Sequence, residues 1–409
     1  MADQAGAGGK LMQRHLAILL LLLAIALPGT SATALAKTGK PASGSPPEAL
    51  LNQAFDEIAR QRLDTALGYI DELLRIRPNF RLAHMIKGDL LLARARPLAA
   101  VGDAPNAPAD RIGDLREEAL ARVRAYRERP GADQIPRYLL QLRPDQKHAF
   151  VVDTGRSRLY VFENVGGRPR FVSDYYISQG KRGSQKLREG DQKTPIGVYH
   201  VTASLPKKKL SDFYGAGAFP INYPNEWDKR QGRNGHGIWL HGTPSDTFSR
   251  PPRSSDGCVV LSNQDLDALA KRLQIGLTPV IISEQIEWLR AADWDTERKR
   301  LLGVLERWRA DWESRDTERY LAHYSKRFSA NGQDLAAWSR HKRQVNAGKS
   351  WIKVTVDNVG LFRSPGKDEV VVVNFDQNYR SSNLSNVMRK RQYWLREGAN
   401  WRIIHEGSA

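Results

Sequence analysis

Cysteine is the first scarcity. The chain has 409 residues and one cysteine, Cys258, so no internal disulfide can form. A zinc site is excluded by the same shortage, because the histidines stand scattered without ligand spacing and no second thiol is at hand. Long hydrophobic runs are equally scarce. Only residues 16–27 are unbroken and apolar, and about twelve residues are short for a membrane span, which needs roughly twenty. Acidic residues are in deficit too: 45 Asp and Glu face 63 Lys and Arg, for a formal charge of +18. A chain so basic is drawn to anionic surfaces, and its length calls for more than one hydrophobic core.

What is present begins with an address. Lys10, Arg14 and His15 precede the apolar run, Pro28-Gly29 breaks it, and Ala34-Leu35-Ala36 closes a stretch of small residues. That pattern predicts a secretory signal peptide over residues 1–36, with a retained signal anchor as the alternative. Export places the protein in the periplasm or cell envelope and confines membrane contact to an uncleaved signal. Nucleic acid is then no partner, and the basic surface suits a negatively charged wall polymer or membrane surface, or simply keeps the protein soluble. Export also singles out Cys258. In an oxidising compartment a lone cysteine is an intermolecular partner, an inert buried thiol or a nucleophile.

Residues 37–47, rich in Gly, Ser and Pro, read as a flexible leader. A helical segment is expected over 48–145, because Leu50, Leu51, Ala54, Ile58, Leu67, Ile70, Leu73 and Leu74 recur at three- and four-residue steps. A loop is expected over 97–113 and an amphipathic helix over 115–129, stopped by Pro130-Gly131. Leu63-Asp64-Thr65-Ala66-Leu67, Leu73-Leu74, Pro78-Asn79-Phe80, Ala83 and Gly88 resemble a tetratricopeptide helix pair. Such a pair either packs in place or offers a face to a protein partner or a second copy. Pro136 and Pro144 mark the expected domain boundary.

From His148 the apolar period becomes two. Residues 148–153 and 158–163 flank the turn Thr154-Gly155-Arg156-Ser157, and further short strands are predicted at 170–178, 196–199, 218–224 and 237–242. An all-β sandwich or barrel is the natural architecture. Cys258 follows a Ser-rich loop and precedes the apolar Val259-Val260-Leu261. A thiol attacks as its thiolate and needs a base, and His241 is the candidate upstream. His236 competes for that role, but strand alternation puts it on the opposite face from His241.

Together, Thr194-Pro195-x-Gly197-x-Tyr199, Leu240-His241-Gly242 and Ser255-Asp256-Gly257-Cys258 resemble the L,D-transpeptidase catalytic domain family over residues 148–284. The resemblance implies a β-sandwich acting on peptidoglycan stem peptides with no cofactor and no metal. It implies Cys258 as nucleophile, His241 as general acid/base, the Gly242 carbonyl as the group orienting the imidazole, and the Gly257 and Cys258 N–H groups facing the oxyanion. Ser255, Asp256, Arg253 and Tyr223 are the expected substrate contacts. The family reaction opens the bond between a diamino acid and D-alanine through a thioester. An amine acceptor makes the enzyme a transpeptidase, and water makes it an L,D-carboxypeptidase. Two departures stand out: Asp256 occupies a position often held by His, and Val260 one usually held by Arg. Arg250 and Arg253 are the candidates to replace that lost cation.

Beyond Glu284, a helix over 297–314 carries Leu301, Leu302, Leu305, Trp308 and Trp312 on one face. Strands are predicted at 352–359, 369–379, 387–396 and 401–406. This α+β cone over 297–409 resembles the nuclear transport factor/SnoaL-like fold. The expected protein is therefore multidomain: a helical N-terminal segment, a mainly-β L,D-transpeptidase sandwich and a C-terminal α+β cone. The whole order resembles cell-shape L,D-carboxypeptidases with an appended cone. The rival of another class is a non-catalytic scaffold that binds cell wall through its basic surface.

Overall fold

The computed structural model describes residues 46–103 and 107–409, so the predicted signal peptide and nearly all of the leader lie outside the described residues. Helices α1 (Pro46–Ala59), α2 (Leu63–Ile76) and α3 (Arg81–Leu92) follow the apolar spacing. α1 starts on a proline, whose missing N–H costs nothing in a first turn. Leu51, Phe55, Ile70, Leu73, Leu82 and Ile86 form their common core. α4 (Ala109–Arg127) begins well before the expected residue 115, directly after Pro108. No helix among the described residues is long and apolar enough to cross a membrane.

The proline-marked stretch after α4 is not a linker. It supplies β1 (Gln134–Pro136) and β2 (Leu139–Gln141), whose partners lie far along the chain. Next come β3 (His148–Asp153), β4 (Arg158–Val165), β5 (Arg168–Tyr176), β6 (Gln179–Gly180), β7 (Gly197–His200), β8 (Leu205–Pro206) and β9 (Gly217–Pro220). After the short helix α5 (Glu226–Arg230) follow β10 (Trp239–His241), β11 (Arg253–Ser255), β12 (Val259–Val260), α6 (Asn263–Ala270) and β13 (Pro279–Ser283). One sheet has the order β5-β4-β3-β13-β7 and a second β12-β10-β9-β8. Phe150, Val152, Leu159 and Val161 of the first meet Phe219, Leu240 and Val259 of the second in one core.

The C-terminal third comprises β14 (Trp288–Arg290), α7 (Ala291–Glu313), α8 (Thr317–Leu321), β15 (Ser329–Ala330), β16 (Gln333–Asp334) and α9 (Leu335–Ala347). Its long strands are β17 (Ile352–Ser364), β18 (Val370–Ser381), β19 (Leu384–Glu397) and β20 (Asn400–Ser408), in the sheet order β2-β17-β18-β19-β20. Val371, Val373 and Phe375 of β18 pack with Trp308 and Trp312 of α7. Val370 and Val372 turn the other way, onto Val151, Phe162 and Ile281 of the sandwich. Burial on both faces accounts for the uninterrupted valine run of β18. Cone and sandwich thus share a hydrophobic layer, and β1 pairs with β14 across the same junction.

Candidate active site

β10 and β12 run parallel, with Leu240 opposite Val259 and His241 opposite Val260. Cys258 stands one residue before β12. Continuing that register puts it beside Trp239, on the face that His241 and Val260 share, because residues two apart in a strand point the same way. The pairing therefore brings Cys258 and His241, the candidate nucleophile and base, to one side of the sheet, which sequence separation alone cannot do. The Cys258 thiol donates to the Gly237 carbonyl at 3.4 Å, and the Trp239 N–H donates to its sulfur.

His241 is buried, with 1% of its surface exposed. Its Nδ1 donates to the Gly242 carbonyl at 2.7 Å, which leaves Nε2 as the lone-pair nitrogen in the neutral ring. The rings of Tyr214 and Phe213 lie 5.1 and 5.8 Å from the imidazole. Burial pulls the His241 pKa down to about 4, against the Gly242 hydrogen bond, with the Arg250 charge adding to the fall. Burial pushes the Cys258 thiol up to about 11, opposed by the Trp239 N–H, Lys186 and Arg250 and reinforced by Asp256. At neutral pH the resting pair is therefore thiol and neutral imidazole.

That depression has a thermodynamic signature. The unfolded imidazole, near 6.5, binds a proton more readily than the folded one near 4, so folding stability is unaffected above pH 6.5 and falls as pH drops through that window. Urea unfolding at pH 7 and pH 4 should show wild type losing about 3 kcal/mol more than His241→Gln does. Equal losses would mean that His241 is not held neutral by burial.

Gly242 is glycine for lack of room. A Cβ there would fall on Asn263 Oδ1 and come within 2.9 Å of the Ala216 N–H nitrogen. Asn263 braces this corner, accepting from Ala216 N at 2.8 Å and donating to the Thr243 carbonyl at 2.8 Å. Gly242→Ala is expected to cost about 1–3 kcal/mol by overpacking. It should lower turnover further than stability alone accounts for, because the displaced carbonyl no longer fixes the imidazole. Denaturation and turnover measured on the same preparation check this.

The loop before the nucleophile is stapled by Ser255, whose hydroxyl donates to the Cys258 carbonyl at 2.6 Å and accepts from Gly257 N at 3.1 Å. Two expectations change as a result. Ser255 is a buried loop brace rather than a substrate contact, and the Gly257 N–H is already engaged, leaving Cys258's own N–H as the oxyanion donor carried forward. Gly257 holds φ +128, and a Cβ there would stand 2.7 Å from the Lys193 carbonyl, so only glycine fits.

The other expected substrate contacts divide. Asp256 lies exposed on the rim, its Oδ1 accepting from Lys181 Nζ and Gln192 Nε2 at 3.0 Å each. Arg253 points away to Glu117 of α4 at 2.8 Å. Tyr223 is buried in the sandwich core, its hydroxyl donating to the Asn234 carbonyl at 3.0 Å. His236 is exposed beside Glu189 at 3.5 Å, away from the base position. Of the two candidate replacement cations, the structure brings Arg250 to the site: its guanidinium lies 4.6 Å from the Phe213 ring centroid. Sequence reasoning missed Lys186, Phe213, Tyr214 and Asn263. Lys186 is buried, donates to Asp191 at 2.8 Å and acts electrostatically on the thiol. Its sequence neighbours are polar loop residues, and no spacing marks it.

Comparison with known proteins agrees with this geometry. A family model described as the L,D-transpeptidase catalytic domain matches residues 147–282, and one described as the Cds6 C-terminal NTF2-like domain matches residues 300–407. No match is found among curated protein sequences. Among solved structures, Bd1075 of Bdellovibrio bacteriovorus is 32% identical, with a TM-score of 0.62 over 68% of this chain and 98% of that one. The helical cell shape determining protein Pgp2 of Campylobacter jejuni is 26% identical, with a TM-score of 0.57 over 66% of this chain and 95% of that one. With that identity maintained across nearly the whole of Bd1075, and with both domain models matched in order, this chain belongs to the L,D-transpeptidase family, in the form that carries a C-terminal NTF2-like domain.

Proposed function

We propose that the protein is an exported peptidoglycan enzyme that attacks the bond between the diamino acid and D-alanine of tetrapeptide stems through a Cys258 thioester. The observation that carries this reading is the parallel pairing of β10 with β12, which sets His241 and Cys258 on one face, with the imidazole tautomer fixed by Gly242. As Sγ forms its bond to the carbonyl carbon, the thiol proton passes to His241 Nε2. The negative oxygen is met by the Cys258 N–H. When the C–N bond breaks, the same proton goes to the departing D-alanine amine. In the second half His241 takes a proton from the acceptor, the acceptor attacks the thioester carbonyl, and the C–S bond breaks to restore the thiol.

Water as acceptor makes the enzyme an L,D-carboxypeptidase, and an amine makes it a transpeptidase. The cell-shape role in the name of Pgp2 favours trimming of tetrapeptides to tripeptides as the second reading. Purified protein incubated with tetrapeptide muropeptides should release alanine. Tripeptide alone identifies hydrolysis, and amine-exchanged or cross-linked products identify transfer. Absence of any release or exchange overturns the acyl-transfer reading and leaves the wall-binding scaffold, which further requires that Cys258→Ala keep its cellular phenotype.

A further inference from the structure

Residues 242–252, between β10 and β11, form a loop seated on the helical segment. The Phe248 ring packs against Phe80 at 4.5 Å between centroids and belongs to the helical core. The Ser249 hydroxyl donates to Glu118 of α4 at 2.7 Å, and Arg253 just beyond pairs with Glu117. The carbonyl of Arg250 accepts from the Tyr176 and Ser178 hydroxyls, each at 2.9 Å. The backbone of Arg250 is therefore fixed on both sides.

Its side chain takes no part in that anchoring. The guanidinium lies over Phe213, whose ring is next to His241, and the residue is half-buried. Among the described residues no carboxylate stands within ion-pairing distance of it, and Asp256 acts on it only from farther off, whereas Arg122, Arg158, Arg233 and Arg253 each have a direct partner. A fixed guanidinium offers five N–H donors in a planar fork that matches a carboxylate. Taking it partly out of water is unfavourable and the Asp256 charge does not make up the loss, so a directly bound anion would relieve it.

The position decides which anion. His241 must hand its proton to the departing amine, so the leaving residue lies on the His241 side of the nucleophile, where Phe213 and Arg250 stand. We propose that Arg250 binds the free C-terminal carboxylate of the departing D-alanine and so restricts the enzyme to the ends of stem peptides. The inference rests on the acyl-transfer reading. It takes Arg250 to do from a loop braced by the helical segment what Val260 cannot do from the strand after the nucleophile.

The test compares a tetrapeptide stem with its C-terminal carboxamide as substrates for wild type, Arg250→Gln and Arg250→Lys. Wild type should favour the free acid by about 10-fold or more in kcat/KM, the size of a charge-assisted pair. Arg250→Gln should lose that preference by falling much further on the acid than on the amide, where only the loss of its charge beside His241 and Cys258 is felt, and Arg250→Lys should recover part of it. The amide also controls for folding, since a misfolded variant would fail on both substrates alike. Equal losses on acid and amide, or no acid preference in active wild type, overturn the assignment of Arg250 while leaving the acyl-transfer reading intact. Wild type inactive on both substrates overturns the two together.

Discussion

Cys258→Ala is expected to abolish alanine release from tetrapeptide stems, lowering the rate by on the order of 10⁴- to 10⁶-fold, as removal of a catalytic nucleophile does elsewhere. The covalent step falls to Cys258, the chain's only thiol, because the nearby Ser255 hydroxyl is engaged with the Cys258 carbonyl and the Gly257 N–H. Folding should survive the change. The loop is held by Ser255 bridging Gly257 N and the Cys258 carbonyl, and both contacts use backbone atoms that alanine retains. The thiol itself contributes a long contact to Gly237 and accepts from the Trp239 N–H, so the unfolding free energy should fall by only about 1–2 kcal/mol. His241→Gln should fall about 10²- to 10⁴-fold, the usual contribution of a general base. Cys258→Ser should sit near the alanine variant, since a buried base with a pKa near 4 is poorly matched to a hydroxyl. Chromatography of the muropeptide products checks all three. Release by Cys258→Ala at more than a hundredth of the wild-type rate would place the chemistry elsewhere.

The resting protonation state adds a second check on the same site. With the thiol near 11 and the imidazole near 4, little thiolate exists at neutral pH before substrate arrives. Alkylation of Cys258 in the free enzyme should accordingly be slow at pH 7 and quicken towards pH 11, rather than proceed through a preformed thiolate–imidazolium pair.

How much of this was legible beforehand can be read from individual residues. β-branched and aromatic runs between turn residues announced the sandwich strands, although β3, β4 and β13 are buried on both faces, one against the second sheet and the other against the cone. Cys258 and His241 stood out as candidates because few residue types suit a nucleophile and its base and the chain has a single cysteine, and the structure places them on one face of the sheet. The short strands at residues 134–141 were not. Pro136 and Pro144 look like punctuation locally, and only the distant partners β14 and β17 turn these residues into strands. Ser255, Arg253 and Tyr223 were misassigned for a related reason. A place in the sequence says nothing about where a side chain points: Ser255 is held within its own loop, Arg253 pairs with Glu117 of α4, and Tyr223 donates to the Asn234 carbonyl from the core. Arg250 was one of two equal candidates until the helical segment, remote in sequence, fixed the loop around it.

The helical segment is joined to the sandwich by a buried charge network, and breaking it should produce the largest loss of stability available to a single substitution here. Arg122 of α4 pairs with Glu48 of α1 and with Glu118 at 2.8 Å, while Arg158 of β4 reaches the same Glu48 at 3.0 Å and pairs with Asp174 of β5. None of the five is more than 8% exposed. Burial pulls the Arg122 pKa down, and Glu48 and Glu118 more than offset it, so the guanidinium stays charged. The guanidinium also stacks 3.8 Å from the Tyr176 ring centroid, directly under the loop that holds Arg250. Arg122→Met should cost on the order of 3–5 kcal/mol, because it strips buried Glu118 of its arginine and leaves Glu48 to share Arg158 with Asp174. The sign of the pH dependence identifies the cause. Burial already raises the folded-state pKa of Glu118 against the pull of Arg122, and losing that charge raises it further, so the variant's deficit should shrink as pH falls from 7 and the carboxyl takes up a proton. Adding Glu118→Gln should recover part of the loss at pH 7, giving a coupling between the two sites that a double-mutant cycle reads directly. If the two losses simply add, Arg122 and Glu118 do not act as one network. If they couple, Arg122→Met should also weaken the acid-over-amide preference that depends on Arg250, since the same α4 surface carries Glu118 to Ser249 and seats the loop.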